Sequence, residues 1–346
     1  YQSMQMCSSF SIFFDKVELW TGKARNTKEL SQIKNIFEYY NVNETFYIKR
    51  FFQFDSLFLA SLNEFIWANL RGLIFSFNVC FHLIKYKNNQ EYVVYTRIWH
   101  VLIIFNLFKK IGLLNSRIFY ESHKFSKPLL STLSKIDGLI VINQFLKKKY
   151  NDFGLNQILT AHDGVNLIEY DDISAYQFIP NKEDFLILYT GSLFSWKGVE
   201  TLVDSLDFLP KKIKLICVGG SGKYLRDFKS YVNGSSNSNR IKVVGHIPKK
   251  EVLRYIENAD ALILPNSAKD KMSLYTSPIK LFEYMASKRP IIASNISSIA
   301  EILSNKNSLL FEADNSEDLA NKILKAASED CQKIVKQSRQ DVEAYS

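Results

Sequence analysis

Three segments in the second half of this 346-residue chain carry residue types suited to holding an anion. In Tyr189-Thr-Gly-Ser-Leu-Phe-Ser-Trp-Lys-Gly198 a strand-like run turns into a helix, Gly191 permits close approach of a ligand, and Lys197 stands at the helix start. A lysine beside free helix-terminal amides binds phosphate through charge and dipole, although a lysine beside a surface turn is usually just a solvated cation. In Ile216-Cys-Val-Gly-Gly-Ser-Gly-Lys-Tyr224 a glycine-rich turn follows a strand. A P-loop would need glycine at Cys217 and Ser or Thr at Tyr224, so that reading fails. Gly219, Gly220 and Gly222 read either as a tight packed turn or as the wall of a nucleotide cleft. The third segment is Leu274-Tyr-Thr-Ser-Pro-Ile-Lys-Leu-Phe-Glu-Tyr-Met-Ala286. Ser277 is a good N-cap and Pro278 suits the first helical position, which directs the free amides of Ile279 and Lys280 out of the helix start. Glu283 lies one turn on, where a carboxylate can accept two hydrogen bonds from a ribose diol. The plain alternative is a capped amphipathic helix with a surface glutamate.

These segments need a frame that brings them to one edge. In the second half, short apolar runs alternate with helix-length amphipathic stretches, the rhythm of parallel βαβ units. It predicts strands at Phe185–Tyr189, Lys214–Val218, Ile241–Val244, Ala261–Leu264, Pro290–Ala293 and Ser308–Phe311, with helices at Gly198–Leu206, Lys223–Tyr231, Lys249–Ile256, Pro278–Ser287, Ile299–Ser304 and Ser316–Ser328. The first half repeats the rhythm less cleanly, with strands expected in one sheet at Val17–Leu19, Thr45–Ile48, Tyr92–Thr96, Ile118–Tyr120, Gly138–Ile142 and Gln157–Thr160. The polar, aperiodic stretch Ile168–Asp184, with Asp171, Asp172 and Pro180, marks a domain boundary. The expected class is α/β: two Rossmann-like, doubly wound domains facing a cleft.

Composition narrows the classes further. Hydrophobic residues make up 47% and charged residues 23%, which fits a globular chain and excludes disorder, collagen and coiled coil. The four cysteines, Cys7, Cys80, Cys217 and Cys331, form no CxxC pair, which argues against disulfides or zinc and for a reducing, cytoplasmic setting. The net charge of +9 is concentrated early: residues 1–170 hold 20 Lys and Arg against 13 Asp and Glu, while the remainder hold 24 against 22. Such a half suits an anionic partner such as a membrane surface, a phosphorylated lipid or a nucleic acid, or is simply a soluble basic surface. No apolar 18-mer runs uninterrupted, because Leu57–Ile84 is broken by Asn63, Glu64, Asn69, Arg71 and Asn78. That stretch reads as buried amphipathic helix or as an interfacial surface. His82 and His100 sit in apolar helical stretches and are expected to be buried or interfacial rather than catalytic, His162 to line a cleft, and Phe51-Phe-Gln-Phe54 to be core or else an acceptor or membrane surface. The opening residues lack the features of a signal peptide. Both ends look cut, since Gln2–Phe14 reads as a helix without its preceding strand and Glu329–Ser346 as a helix stopped in mid-pattern. An unpaired sheet edge is therefore expected beside Val17–Leu19.

The second half resembles the C-terminal domain of retaining glycosyltransferases of family 4. The likeness lies in the 189–198 stretch, Gly245-His-Ile-Pro248, Ala259-Asp-Ala-Leu-Ile-Leu-Pro265 and Ser277-Pro-Ile-Lys-Leu-Phe-Glu-Tyr-Met-Ala286, in the family's order and spacing. Val94-Tyr-Thr-Arg97, Tyr120-Glu-Ser-His-Lys-Phe125 and His162-Asp-Gly-Val165 match more loosely. The resemblance implies a GT-B fold, with an acceptor domain over residues 1–170 whose first strand is missing, a linker over 171–184, a donor domain over 185–328 and the start of a C-terminal helix over 329–346. It makes Lys197 a ligand of the donor diphosphate and Glu283 the acceptor for ribose hydroxyls. Gly245, His246 and Ile247 would meet the base, and His123 would face the donor sugar from across the cleft. Gly191, Ser192, Gly219, Tyr275, Thr276, Ser277, Ile279 and Lys280 complete the implied donor site. Two positions depart from the family: Tyr275 replaces the first acid of its EX7E motif, and Ser192 stands near the position where an arginine often assists the lysine.

The resemblance further implies a retaining, metal-independent hexosyltransferase without cofactor, taking a UDP- or GDP-sugar to a lipid-linked or saccharide acceptor in polysaccharide, O-antigen or capsule assembly. It would be cytoplasmic, at the inner membrane face through its basic half, with no nucleic-acid partner. Lys197 and helix amides would stabilise the leaving diphosphate as the sugar gains oxocarbenium character. Attack would come from the front face with the leaving phosphate as base. A GT-B nucleotide-sugar 2-epimerase or a two-lobed sugar-binding protein remain the alternatives.

Overall fold

The computed structural model describes residues 2–23, 33–53, 63–86, 91–180 and 182–346. Residue 54 of the aromatic run, residues 57–62 of the expected helical stretch and residue 181 of the expected linker lie outside the described residues. The chain forms two compact units, residues 1–141 with 146–161, and residues 142–145 with 162–346.

The first unit holds two parallel sheets where a single sheet was expected. Strands β1 (Glu18–Gly22) and β2 (Tyr47–Phe51) pair with each other, and β3 (Val93–Thr96), β4 (Arg117–Ser122), β5 (Gly138–Val141) and β6 (Ile158–Thr160) form the second sheet in chain order. Among the described residues no ladder joins the two. The helix Gln2–Phe10 is shared between them. Its Met4 and Cys7 pack with Phe46, Val17 and Leu19, while Phe10 meets the Tyr95 ring at 5.5 Å and Arg97 reaches the Met6 sulfur. This helix ends at Phe10 rather than Phe14, where the Ser11 hydroxyl turns back to the Ser8 carbonyl and to Thr45.

Helices Glu64–Ile84 and Trp99–Lys110 pack against each other, and the buried Phe108 ring meets Phe77 at 6.3 Å and Phe81 at 5.2 Å. His100 is buried here with its ring stacked on Trp99, and its Nε2 pairs with the Asn69 side-chain oxygen. The longer helix leaves Ile66, Leu70, Leu73, Phe77 and Phe81 exposed, and their spacing of three or four residues makes one stripe. No described helix is long and apolar enough to cross a membrane.

The second unit is one six-stranded parallel sheet. Its strands are β7 (Phe185–Thr190), β8 (Ile213–Val218), β9 (Ile241–Gly245), β10 (Ala261–Leu264), β11 (Ile291–Ser294) and β12 (Leu309–Phe311), in the order β12-β11-β10-β7-β8-β9. Both faces are covered, which is why these strands read as continuous apolar runs. Ile187 faces one core with Leu202, Phe228 and Ile323, from the helices Val199–Asp204, Gly222–Gly234 and Ser316–Ser328. Leu188 faces the other with Ile256, Leu281 and Ile299, from Lys249–Asn258, Ile279–Ala286 and Ser297–Ala300. The direction of winding reverses between β7 and β10, so the carboxyl ends of these two strands flank the topological switch point, where open α/β sheets bind ligands.

Other helices also differ from expectation. Gly198 adopts a left-handed φ of 67°, so the helix starts at Val199, and a 3-10 turn follows over Ser205–Phe208. The helix expected at Ile299–Ser304 lies at Ser297–Ala300. Beyond Glu329 the chain forms Gln332–Asp341 and a 3-10 turn, Val342–Tyr345. In the stretch expected as a linker, Ile173 lies in the second unit's core, and Lys288 and Arg289 donate to the carbonyls of Asp171, Ile173 and Ser174.

Candidate functional site

The carboxyl ends of β7, β8 and β9 meet through backbone alone. The Gly191 amide donates to the Val218 carbonyl at 2.8 Å and the Gly219 amide to the Gly245 carbonyl at 2.7 Å. A Cβ on Gly219 would lie 2.1 Å from the Gly191 carbonyl oxygen, and one on Gly220 would strike Leu193. Of the two readings of this glycine-rich turn, close packing accounts for Gly219 and Gly220 directly. Beyond it, His246 is exposed and Ile247 packs into the core with Leu253.

The turn after β7 is fixed by two buried tyrosines. Tyr189 donates to the Ser192 carbonyl at 2.5 Å, and the Tyr284 hydroxyl, from helix Ile279–Ala286, accepts the Thr190 amide at 2.8 Å. Lys197 follows, its ammonium 4.0 Å from the centre of the Trp196 ring. This turn is pressed onto the loop after β10, where the Ser267 amide donates to the Trp196 carbonyl at 3.0 Å. Burial, and then the nearby Lys280 charge, bring the Lys197 pKa down to about 8. Two cations thus sit close together beside the switch point.

Glu283 is buried, not a surface glutamate. One carboxylate oxygen pairs with Lys249, and the other lies 2.7 Å from Lys280. Burial alone would raise its pKa, but the charges and hydrogen bonds of Lys280 and Lys249 outweigh this and hold it at about 2. Lys249 also donates to the Tyr170 hydroxyl at 3.0 Å and lies 3.8 Å from Glu169. In this arrangement both Glu283 oxygens are engaged by lysines. Lys249 has no signal in the sequence, because it stands 34 residues from Glu283 on another helix.

Ser277 does not cap the helix. The helix runs from Ile279 with Pro278 as its cap residue, and the Ser277 hydroxyl instead accepts the Asp163 amide at 3.1 Å. The loop before it is braced by buried Asn143, whose side-chain nitrogen donates to the carbonyls of Leu274, at 3.0 Å, and Thr276, at 3.3 Å. Tyr275, in the slot of the expected acid, lies edge-on to Phe145 at 5.5 Å. The strand expected up to Ile142 ends at Val141, and no local pattern marks Asn143. His162 lies 3.7 Å from Glu301. Asn266, just past β10, is fully buried with both side-chain amide atoms unpaired among the described residues.

In the first unit, His123 stands just past β4, half-exposed, with Nε2 2.5 Å from the buried Glu121 carboxylate. Among the described residues no three His, Cys, Asp or Glu side chains are grouped to hold a metal ion.

A half-buried lysine of lowered pKa and a second lysine thus lie beside a glycine-lined strand edge at the switch point. Residues 184–329 match the family model described as Glycosyl transferases group 1. They form a group 1 glycosyl transferase domain. An uncharacterized glycosyltransferase of Methanocaldococcus jannaschii is 25% identical over 190 residues, 54% of this chain and 49% of that protein. The amylovoran biosynthesis glycosyltransferase AmsK of Erwinia amylovora is 29% identical over 84 residues, 24% of this chain and 21% of that protein. The chain therefore spans about half the length of the first curated relative and about a fifth of the second. A crystal structure of Anabaena HepE in complex with UDP and glucose superposes with a TM-score of 0.70 at 16% identity, covering 99% of this chain and 91% of that one. That likeness bears on the fold: the two Rossmann-like units are those of GT-B proteins.

Proposed function

We propose that the chain is a retaining hexosyltransferase of family 4 type that takes a UDP- or GDP-sugar and transfers the sugar to a lipid-linked or saccharide acceptor in surface-polysaccharide assembly. The observation that carries the donor site is desolvated Lys197 at the switch point, which has no carboxylate partner among the described residues and feels the charge of Lys280, itself paired with Glu283. A diphosphate supplies an anionic partner, and both lysines then stabilise the charge that grows on it as the glycosidic bond breaks. The group 1 domain, the UDP and glucose held by HepE and the part of AmsK in amylovoran biosynthesis support this reading. His123 would meet the transferred sugar. Glu283, locked between two lysines, sets the place of Lys280 and would reach a ribose only by giving up one of them. No metal or other cofactor enters this scheme. The chain would work in the cytoplasm at the inner membrane face, docking through its basic first half.

Calorimetry with UDP, GDP and their sugars tests the donor site. Lys197→Ala should weaken binding by about 1–3 kcal/mol, the worth of a hydrogen bond to a charged group, and a chelator should leave wild-type binding unchanged. Equal affinity in the variant, or a strict metal requirement, would overturn the site as drawn.

A further inference from the structure

A second constellation lies at the carboxyl ends of β3 and β4, the kind of edge where the first unit's sheet would also receive a ligand. Arg97 follows β3, Glu121 is in β4 and His123 comes just after it, with Thr96 paired in register to Tyr120. The Glu121 carboxylate, whose side chain is 6% exposed, joins the other two. One oxygen lies 3.0 Å from Arg97 Nη2 and 2.5 Å from His123 Nε2, and the other accepts from Arg97 Nη2 at 3.1 Å. The turn carrying His123 is pinned independently. The Ser122 hydroxyl donates to the Lys124 carbonyl at 2.9 Å, and buried Tyr150 bonds both Ser122, at 2.9 Å, and that carbonyl, at 3.3 Å.

An ionised carboxylate can only accept hydrogen bonds. The His123 nitrogen beside Glu121 must therefore carry a hydrogen, in the neutral ring as in the charged one. Nδ1 has no hydrogen-bond partner among the described residues, and the ring is 40% exposed. We infer that Glu121, held by Arg97, is a positioning residue that fixes His123 as its Nε2–H tautomer and makes Nδ1 the working nitrogen, which accepts a hydrogen bond from a hydroxyl of the bound sugar. This rests on the proposed role of His123 at the sugar. The tautomer itself does not.

The test separates the two. Long-range nitrogen–proton NMR on the full chain labelled in its five histidines, with His123 assigned by loss of its signals in His123→Gln, reads the tautomer directly. The Nε2–H form is expected in wild type, and redistribution toward Nδ1–H is expected in Glu121→Ala. A wild-type Nδ1–H form, or a tautomer indifferent to Glu121→Ala, would overturn the inference whatever the activity. In transfer assays Glu121→Ala should lower kcat/KM roughly three- to tenfold, the worth of one misplaced neutral hydrogen bond. Glu121→Asp should recover part of it, and nucleotide affinity should not change. If the tautomer behaves as expected but His123→Ala transfers as well as wild type, the sugar-facing role of His123 falls, and with it the use of Nδ1.

Discussion

At the scale of single residues, burial penalises both charges of the proposed donor site, and their neighbours then act in opposite ways. Glu283 is desolvated but gains two ammonium partners, so its charge is secured down to a pH of about 2. Lys197 is desolvated and gains a like charge, so its proton is loosely held, with a pKa of about 8. The folded state binds that proton less tightly than the unfolded chain does. The free protein is thus strained by Lys197 below pH 8, and an anion relieves the strain. Anion binding favours the charged lysine and must raise its pKa, so nucleotide affinity should fall as pH rises through 8, and binding at pH 8–9 should take up protons. Calorimetry in buffers of different ionisation enthalpy measures that uptake. Its absence, or its persistence in Lys197→Met, would locate the proton elsewhere. Glu283 is a poor probe by comparison. Removing it strands two lysines against a buried site, at about 3–5 kcal/mol for such a pair, and would confuse folding with binding. Lys197 beside a helix start and Glu283 one turn into another helix are legible in the sequence as residue types. Their partners are not, because Lys249 and the Asn143 brace come from remote segments that only the fold brings near.

At the scale of elements, the site depends on a backbone contact that tolerates no side chain. Gly198 has a left-handed φ of 67°, and a Cβ there would lie 1.9 Å from the Pro265 carbonyl oxygen. Gly198→Ala should cost at least about 1–2 kcal/mol from the dihedral alone. It should also push the Lys197 turn off the loop after β10, lowering both melting temperature and nucleotide affinity. Gly234, at the end of helix Gly222–Gly234 with open space around it, is the control, and Gly234→Ala should be neutral or slightly stabilising. Thermal unfolding of the two variants with and without UDP decides the matter, and equal behaviour would sink the contact. The strands of the second unit were readable because a doubly covered parallel sheet writes each one as an apolar run, and Ala261–Leu264 and helix Ser316–Ser328 lie where the pattern puts them. The start of helix Ile279–Ala286 was misread because the Ser277 hydroxyl had a tertiary use, the Asp163 amide, that no local rule contains. The division of the first unit's strands into two sheets was likewise invisible, since periodicity reports which residues are strands and not which strands pair.

For the whole molecule, the uneven charge and the exposed apolar stripe fall in the same half. Ile66, Leu70, Leu73, Phe77 and Phe81 face outward from helix Glu64–Ile84, and Leu107 and Ile111 are exposed at the end of the helix that packs against it. Arg71, Lys85 and Lys110 are exposed on the same pair of helices or beside their ends. Apolar side chains edged by cations suit an anionic lipid surface, where each basic residue adds about 1 kcal/mol and buried apolar area adds the rest. The chain should therefore co-sediment with vesicles containing anionic lipid, more weakly with zwitterionic ones, and less as salt is raised. Replacing Phe77 and Phe81 together by Asp should lower vesicle affinity about tenfold or more, because each buried aromatic is worth well over about 1.4 kcal/mol. Nucleotide binding in the second unit should be untouched. If the variant sediments like wild type, or if neutral and anionic vesicles bind alike, the stripe is no membrane face and the early charge excess has some other use.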